Sequence, residues 1–396
     1  MQDREALRWE ALHWKEDGQS RQCRWHSESR PQPPARVMVV DDRLPADRAW
    51  QLACEGTALL WRGDYHNARQ LLQAMGRRAE RSLGKRAGKA GAGSAPAVFP
   101  EAFHQHRMQQ AQRARTLGMV LVELQPGGEL GLPRAPQLAP VLEAAFGAAA
   151  PELLADGLVL SLRELLGLIG AWQWQRKGVW IDALGAAIHP CYGVFSPLRG
   201  EYLELIARQP LSAAASTLAL DVGTGSGVIA AVLARRGVGR VLATDLSPRA
   251  LACAAANLAR LELVDRVELL AADLFPAEVS GLPLIVCNPP WLPAKPSSTI
   301  EQAVYDPDSR MLRAFLAGVG ARLSADGEAW LILSDLAEHL GLRSREQLLG
   351  WIAAGGLQVR SRADIRPRHG KGQDRADPLH AARANEVTSL WCLSRS

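Results

Sequence analysis

From about residue 218 onward the chain alternates apolar runs with stretches of helical periodicity. LALDVG (218–223) is apolar almost throughout, the pattern of a strand buried on both faces. Helical spacing follows from Ser226 to Arg236, then a second apolar run, VLATDL (241–246), then helical spacing again from Pro248 to Leu261. VELLAADL (267–274), LPLIVCN (282–288) and EAWLILS (328–334) predict further strands, with helices at Ser309–Leu323 and Ser344–Ala354. The last two runs, LQVRSRADI (357–365) and EVTSLWCLS (386–394), have no helical pattern between them. Alternation of this kind predicts an α/β fold, a doubly wound seven-stranded sheet. Without a crossover helix before it, the final strand is expected to run antiparallel.

The N-terminal half is less regular. Residues 1–36 are rich in Arg, Gln and Trp and end in RPQPPAR, which suggests a loosely ordered arm. A helix is expected from Asp47 to Arg62, a break at Gly63-Asp64, and a second helix from Tyr65 to Arg81. GKRAGKAGAGSAPA (84–97) has nothing to bury and reads as a flexible basic linker. A helix from Glu101 to Leu117 and a short strand MVLVEL (119–124) follow. The expected organisation is a mainly helical N-terminal domain over 37–150 and a connecting segment over 151–200. That segment holds a small hairpin at Val179–His189, and the α/β domain follows over 201–396.

Composition narrows the class. Of 396 residues, 47% are hydrophobic and 22% charged, ordinary for a globular protein. No apolar run reaches the length of a membrane span, and MQDREALRWE is too charged for a secretory signal. The six cysteines are scattered without a C-x-x-C pair, which suits a cytoplasmic location. Cys23 and His26 have a ligand-like spacing but no second pair, so no metal is expected. The net charge of +5 is uneven: residues 76–116 hold nine Lys/Arg against two acids. Such a segment suits either a phosphate backbone or a solvated helix face.

Candidate chemistry lies at the strand ends, where open α/β sheets bind ligands. The first strand of the C-terminal domain finishes in Asp221-Val-Gly-Thr-Gly-Ser-Gly227. Alternating glycines let the backbone turn tightly and a ligand approach closely. A dinucleotide fingerprint requires a glycine where Val228 stands, which argues against an NAD-dependent oxidoreductase. The second strand ends in Asp245 and the third in Asp273. A carboxylate at the first position can accept two ribose hydroxyls, and one at the second can reach a base edge. Together they favour a nucleoside ligand.

DVGTGSG, ATDLSPRALACAAANL, LLAADLF and VCNPPW, in this order, resemble the class I S-adenosylmethionine-dependent methyltransferases over about residues 178–396. The resemblance implies S-adenosyl-L-methionine as cofactor. Gly223, Thr224, Gly225 and Gly227 would lie under its methionine part, Asp245 would hold the ribose and Asp273 the adenine. Asp221, Leu246, Leu274 and Asn288 fall in the same cofactor-binding set.

In that family a D/N-P-P-aromatic motif marks transfer to a planar nitrogen. Here it is Asn288, Pro289, Pro290 and Trp291, the expected catalytic group. A planar nitrogen is a poor nucleophile because its lone pair is delocalised. The Asn288 oxygen and the Pro289 carbonyl can each accept one N–H and aim that lone pair. The prolines hold the acceptors, and Trp291 can stack on the target and exclude water. The 65-residue spacing from Gly223 to Asn288 and the hairpin at 179–189 resemble the release-factor glutamine methyltransferases. A protein glutamine is therefore favoured as substrate over the alternative, an exocyclic base amine of rRNA or DNA. A non-catalytic nucleoside-binding module is a further alternative. YGVFSPLRGEY (192–202) precedes the core as a substrate-side lip, with Arg199 or Tyr202 as possible contacts. The loop RPRHGKGQDRADPLHAARAN (366–385) is a candidate lid, its His369 and His380 being expected loop residues.

Overall fold

The structure is a computed structural model that describes residues 10–29, 32–90, 99–197, 200–297, 300–368 and 377–396. They form two compact units, one from residues up to 97 with 104–173, the other from 98–103 with 174–396.

The first unit departs from expectation at several points. Residues 11–24 form an antiparallel hairpin, β1 (Ala11–Glu16) and β2 (Gln19–Arg24), rather than a loosely ordered arm. Asp17-Gly18 supplies the tight turn, and Leu12 and Trp14 alternate inward along β1. Next, the unit is not mainly helical. Its centre is a four-stranded sheet in the order β3 (Arg36–Val40), β4 (Thr57–Trp61), β5 (Val120–Leu124), β6 (Leu158–Ser161). The first three run parallel, and β6 is antiparallel to β5. The helix expected over Asp47–Arg62 ends at Cys54. Gly56 turns the chain at φ 84°, and TALLW becomes a strand buried at every position. A five-residue apolar run fits a helix or a central strand equally well, and only the neighbouring strands decide between them. Finally, the helix starting at Tyr65 continues to Ala90, into the segment expected as linker; residues 91–98 lie outside the described residues.

The unit also runs past residue 150, to 173, and includes β6, which completes its sheet. Part of the basic charge of 76–116 is spent internally: Arg78 pairs with Asp47 and Arg113 with Glu80.

The second unit matches the expected α/β architecture. The hairpin β7 (Val179–Ile181) and β8 (Ala186–Ile188) precedes a seven-stranded sheet. Its strands are β9 (Leu218–Val222), β10 (Arg240–Asp245), β11 (Val267–Ala271), β12 (Leu282–Cys287), β13 (Leu323–Ser334), β14 (Leu357–Ile365) and β15 (Thr388–Arg395). They lie in the order β11-β10-β9-β12-β13-β15-β14, with β15 antiparallel to both neighbours. Successive residues alternate between two cores: Leu284 and Val286 face one, Ile285 and Cys287 the other. Helices Glu201–Arg208, Val228–Arg235 and Pro248–Arg260 cover the first face; Arg310–Val319 and Arg345–Ala354 cover the second. The strand order reverses between β9 and β12, which opens a crevice at their carboxyl ends. No helix among the described residues is long and apolar enough to cross a membrane.

Candidate active site

The glycine loop leaves the end of β9 as expected. Gly223, Gly225 and Gly227 all have positive φ (73°, 56° and 80°), a region closed to most side chains. The turn is tied to the next strand: Gly223 N–H and Thr224 N–H both donate to the Thr244 carbonyl, at 2.9 and 2.8 Å. A side chain at Gly227 would press on Ala254, whereas one at Gly225 would meet nothing within 4 Å. Gly227 is therefore a packing glycine, and Gly225 borders open space.

Three carboxylates at the ends of β9, β10 and β11 are in different states. Asp221 is fully buried; its Oδ2 accepts from Thr224 Oγ1 (2.7 Å) and from Ala230 N (3.1 Å), while Oδ1 has no partner. Burial pushes its carboxyl up to about 7, the two hydrogen bonds oppose this, and the Asp245 charge adds to it. Asp221 thus braces the loop from below. Asp245, half-buried at the end of β10, accepts from Gly225 N through Oδ2 and from Ser247 N through Oδ1, each at 2.9 Å. Each carboxylate oxygen accepts more than one donor, so Asp245 keeps capacity for hydroxyl groups. Asp273, beyond β11, is exposed. Leu246 stands 67% exposed beside Asp245, an apolar surface where a flat base would rest. Leu274 adopts φ 63°, an unusual backbone for leucine, and its carbonyl accepts from Thr244 Oγ1 at 2.8 Å.

Asn288 follows β12, whose Ile285 and Cys287 pair with Leu220 and Val222 of β9. The acceptor motif and the glycine loop therefore emerge side by side from adjacent parallel strands. Asn288 Oδ1 accepts from the Trp291 indole Nε1 at 2.9 Å. Trp291 is half-buried and packs against both apolar cores. Pro289 is buried and Pro290 half-buried. Beyond them Leu292 exchanges hydrogen bonds with Val304 and Asp306, and Asp306 caps the helix Arg310–Val319 through Met311 N and Leu312 N.

Other candidates separate. Tyr202 is buried in the first core, where desolvation raises its hydroxyl well above the ordinary range. It is a structural residue rather than a ligand contact. Arg199 and His369 lie outside the described residues. His380 opens the short helix His380–Ala384, part of the candidate lid loop. Cys23 is buried on β2, with its thiol raised to about 11 by desolvation, and His26 faces Glu164 at 3.2 Å.

Two site residues escaped the sequence reading. Thr244 joins the glycine loop to Leu274, and Asn257 joins the end of the 179–189 hairpin to the loop by accepting from His189 N (2.8 Å) and donating to the Ser226 carbonyl (3.0 Å). Their only signal was a polar side chain in an otherwise apolar strand or helix face. Such buried polar groups are held by hydrogen bonds or not tolerated.

Residues 188–345 match the family model described as "Methyltransferase small domain". Relatives include a release factor glutamine methyltransferase of Cereibacter sphaeroides, 43% identical over 99 residues, 25% of this chain and 34% of that protein. Another, of Deinococcus radiodurans, is 34% identical over 176 residues, 42% of this chain and 61% of its own length. The chain thus spans less than two thirds of either relative. Among solved structures, a ribosomal protein L11 methylase of Lactobacillus delbrueckii subsp. bulgaricus has a TM-score of 0.35 and 20% identity. The match covers 51% of this chain and 81% of that one.

Proposed function

We propose that this chain, whose residues 188–345 match the family model described as "Methyltransferase small domain", is an S-adenosylmethionine-dependent N-methyltransferase. Its substrate on this reading is a glutamine amide of a release factor, and its location the cytoplasm. The observation that carries the reading is the placement of Asn288 beside the glycine loop, at the reversal of strand order between β9 and β12.

The residues fit the cofactor. Gly225 leaves room for close approach, Asp245 has acceptor capacity for ribose hydroxyls, and Leu246 and Leu274 would flank a base whose edge Asp273 would meet. When bound, the cofactor supplies a methyl group on a positively charged sulfur. The protein's task is to present a reluctant nitrogen to it. Asn288 Oδ1 accepts one amide N–H and the Pro289 carbonyl the other, which turns the nitrogen lone pair toward the methyl and favours a pyramidal nitrogen. Preorganised acceptors of this kind contribute several kcal/mol, on the order of 3. Trp291 shields the site from water. No general base is required, because the surplus amide proton is acidic once the nitrogen carries the methyl, and it passes to solvent as the product leaves the site.

The test is incubation of the full chain with tritiated S-adenosylmethionine and either a purified release factor or ribosomal RNA. Label should enter the release factor, resist RNase, and disappear when the acceptor glutamine is replaced. Turnover should respond weakly to salt. Label in RNA only, with a steep salt dependence, would replace this reading with base-amine transfer.

A further inference from the structure

We propose that Trp291 is a positioning residue, whose indole N–H fixes which atom Asn288 presents to the substrate nitrogen. The proposal rests on the reading of Asn288 as the acceptor at the transfer centre. It stands on the 2.9 Å bond from Trp291 Nε1 to Asn288 Oδ1 and on the seating of the indole against the apolar cores of both sheet faces.

An asparagine side chain can be turned over with almost no change of shape, exchanging its oxygen and its NH2 group. At this centre the two orientations are not equivalent. The substrate nitrogen bears hydrogens, so it needs an acceptor, and an NH2 group facing it would repel it. An indole N–H donates and never accepts. It therefore binds the oxygen and rejects the flipped amide. The oxygen of an amide has two lone pairs lying in the amide plane. With one directed at the indole, the direction of the other is set. That second lone pair is the acceptor left for substrate, and its aim follows from where the indole is held. The indole packs, half-buried, against the cores on both faces of the sheet, and the following residue, Leu292, is anchored to Val304 and Asp306. Pro289 and Pro290 restrict the intervening backbone. An aromatic residue without a donor at this place would offer stacking alone.

The experiment replaces Trp291 with β-(3-benzothienyl)alanine, which keeps the ring shape but has sulfur in place of the N–H. The measurement is single-turnover methyl transfer to the release factor. We expect the rate to fall roughly ten- to a hundred-fold, the scale of a misaligned reacting group. KM for the release factor and affinity for the cofactor should stay near parental values. Trp291→Phe should follow the same pattern. In an Asn288→Ala background the sulfur replacement should cost nothing further, since the bond it removes is already absent. In Asn288→Asp the loss should shrink, because a carboxylate shows oxygen whichever way it turns. A merely structural role would lower all three backgrounds alike.

Parental transfer by the sulfur variant, alongside an inactive Asn288→Ala, would overturn the positioning role and leave the transfer centre standing. Parental transfer by Asn288→Ala would overturn both. The contact is also tested without turnover. The Trp291 indole N–H resonance should move upfield in Asn288→Ala, and an unmoved resonance counts against the proposal.

Discussion

Both units carry carboxylates at or just past the carboxyl ends of parallel strands, yet the two sets are in opposite states. In the first unit Asp41 and Asp42 follow β3 and Asp64 follows β4. Asp64 receives two bonds from Arg134, at 2.6 and 2.7 Å, and one from His66 N. Asp42 accepts from Asp64 N and from Asn67 Nδ2, and Asp41 is paired with Arg43. The space beside Gly63 is filled by Asp42. In the second unit no cation pairs with Asp221 or Asp245 among the described residues: Asp245 accepts backbone N–H groups, Asp221 has one bare oxygen, and the space beside Gly225 is open. The electrostatics follow. Arg134 holds the Asp64 carboxyl below its usual range, whereas burial lifts Asp221 to about 7. Strand-end carboxylates thus keep free acceptor capacity in the unit where no cation closes them.

The comparison is tested most sharply at Asn288. Asn288→Ala should cost on the order of 2.7–4 kcal/mol in the transfer step, about 100- to 1000-fold, with cofactor affinity near normal. Asn288→Asp should keep part of the rate, since a carboxylate also accepts. Single-turnover kinetics with labelled cofactor would show both, and Asp64→Ala should leave the rate unchanged. Next, Asp245→Ala should weaken S-adenosylmethionine binding by roughly 1.5–3 kcal/mol in calorimetric titration. Asp64→Ala should not weaken it; equal losses would mean that the first unit holds ligand too.

The pH response should have opposite sign in the two units. Asp221 has a raised folded pKa, so its burial is tolerated below the unfolded value near 3.9 and becomes steadily more costly up to about pH 7. Asp221→Asn should therefore raise thermal stability at pH 8 and leave it little changed at pH 4. Asp64 has a lowered pKa; its contribution is present above the unfolded value and is lost as pH falls through the folded one. Asp64→Asn should destabilise at neutral pH, and the deficit should close in acid. Thermal melts with hydrogen exchange would assign each effect to its unit, and parallel pH profiles for the two variants would contradict the contrast.

The smallest effect is expected at Gly225. Alanine there costs about 1 kcal/mol for its positive φ, with no collision to add. Gly63→Ala should cost more, because Asp42 occupies the space. Melting temperatures of the two variants rank the sites directly.

Much of the second unit was readable in the residues alone. Strand β14 coincides with LQVRSRADI, and the reversed final strand followed from the lack of a crossover-length helix, although the unforeseen five-residue helix His380–Ala384 stands before it; Gly223, Asp245 and Asn288 all stand at strand ends in one crevice. These features are local: burial on both faces writes continuous apolar runs, and ligand approach writes glycines and acids at their ends. Tertiary structure alone decided the rest. TALLW became a strand because β3 and β5 lie on either side of it. Arg134 closes Asp64 from 70 positions away, and Thr244 reaches Leu274 across 30. Tyr202 turned inward and Leu246 outward, although both are large and carry apolar rings or chains. Periodicity records which face of an element is buried. It does not record which distant donor meets a given acceptor, and at Asp64 and Asp245 that pairing separates a strand end closed by a cation from one that keeps acceptor capacity.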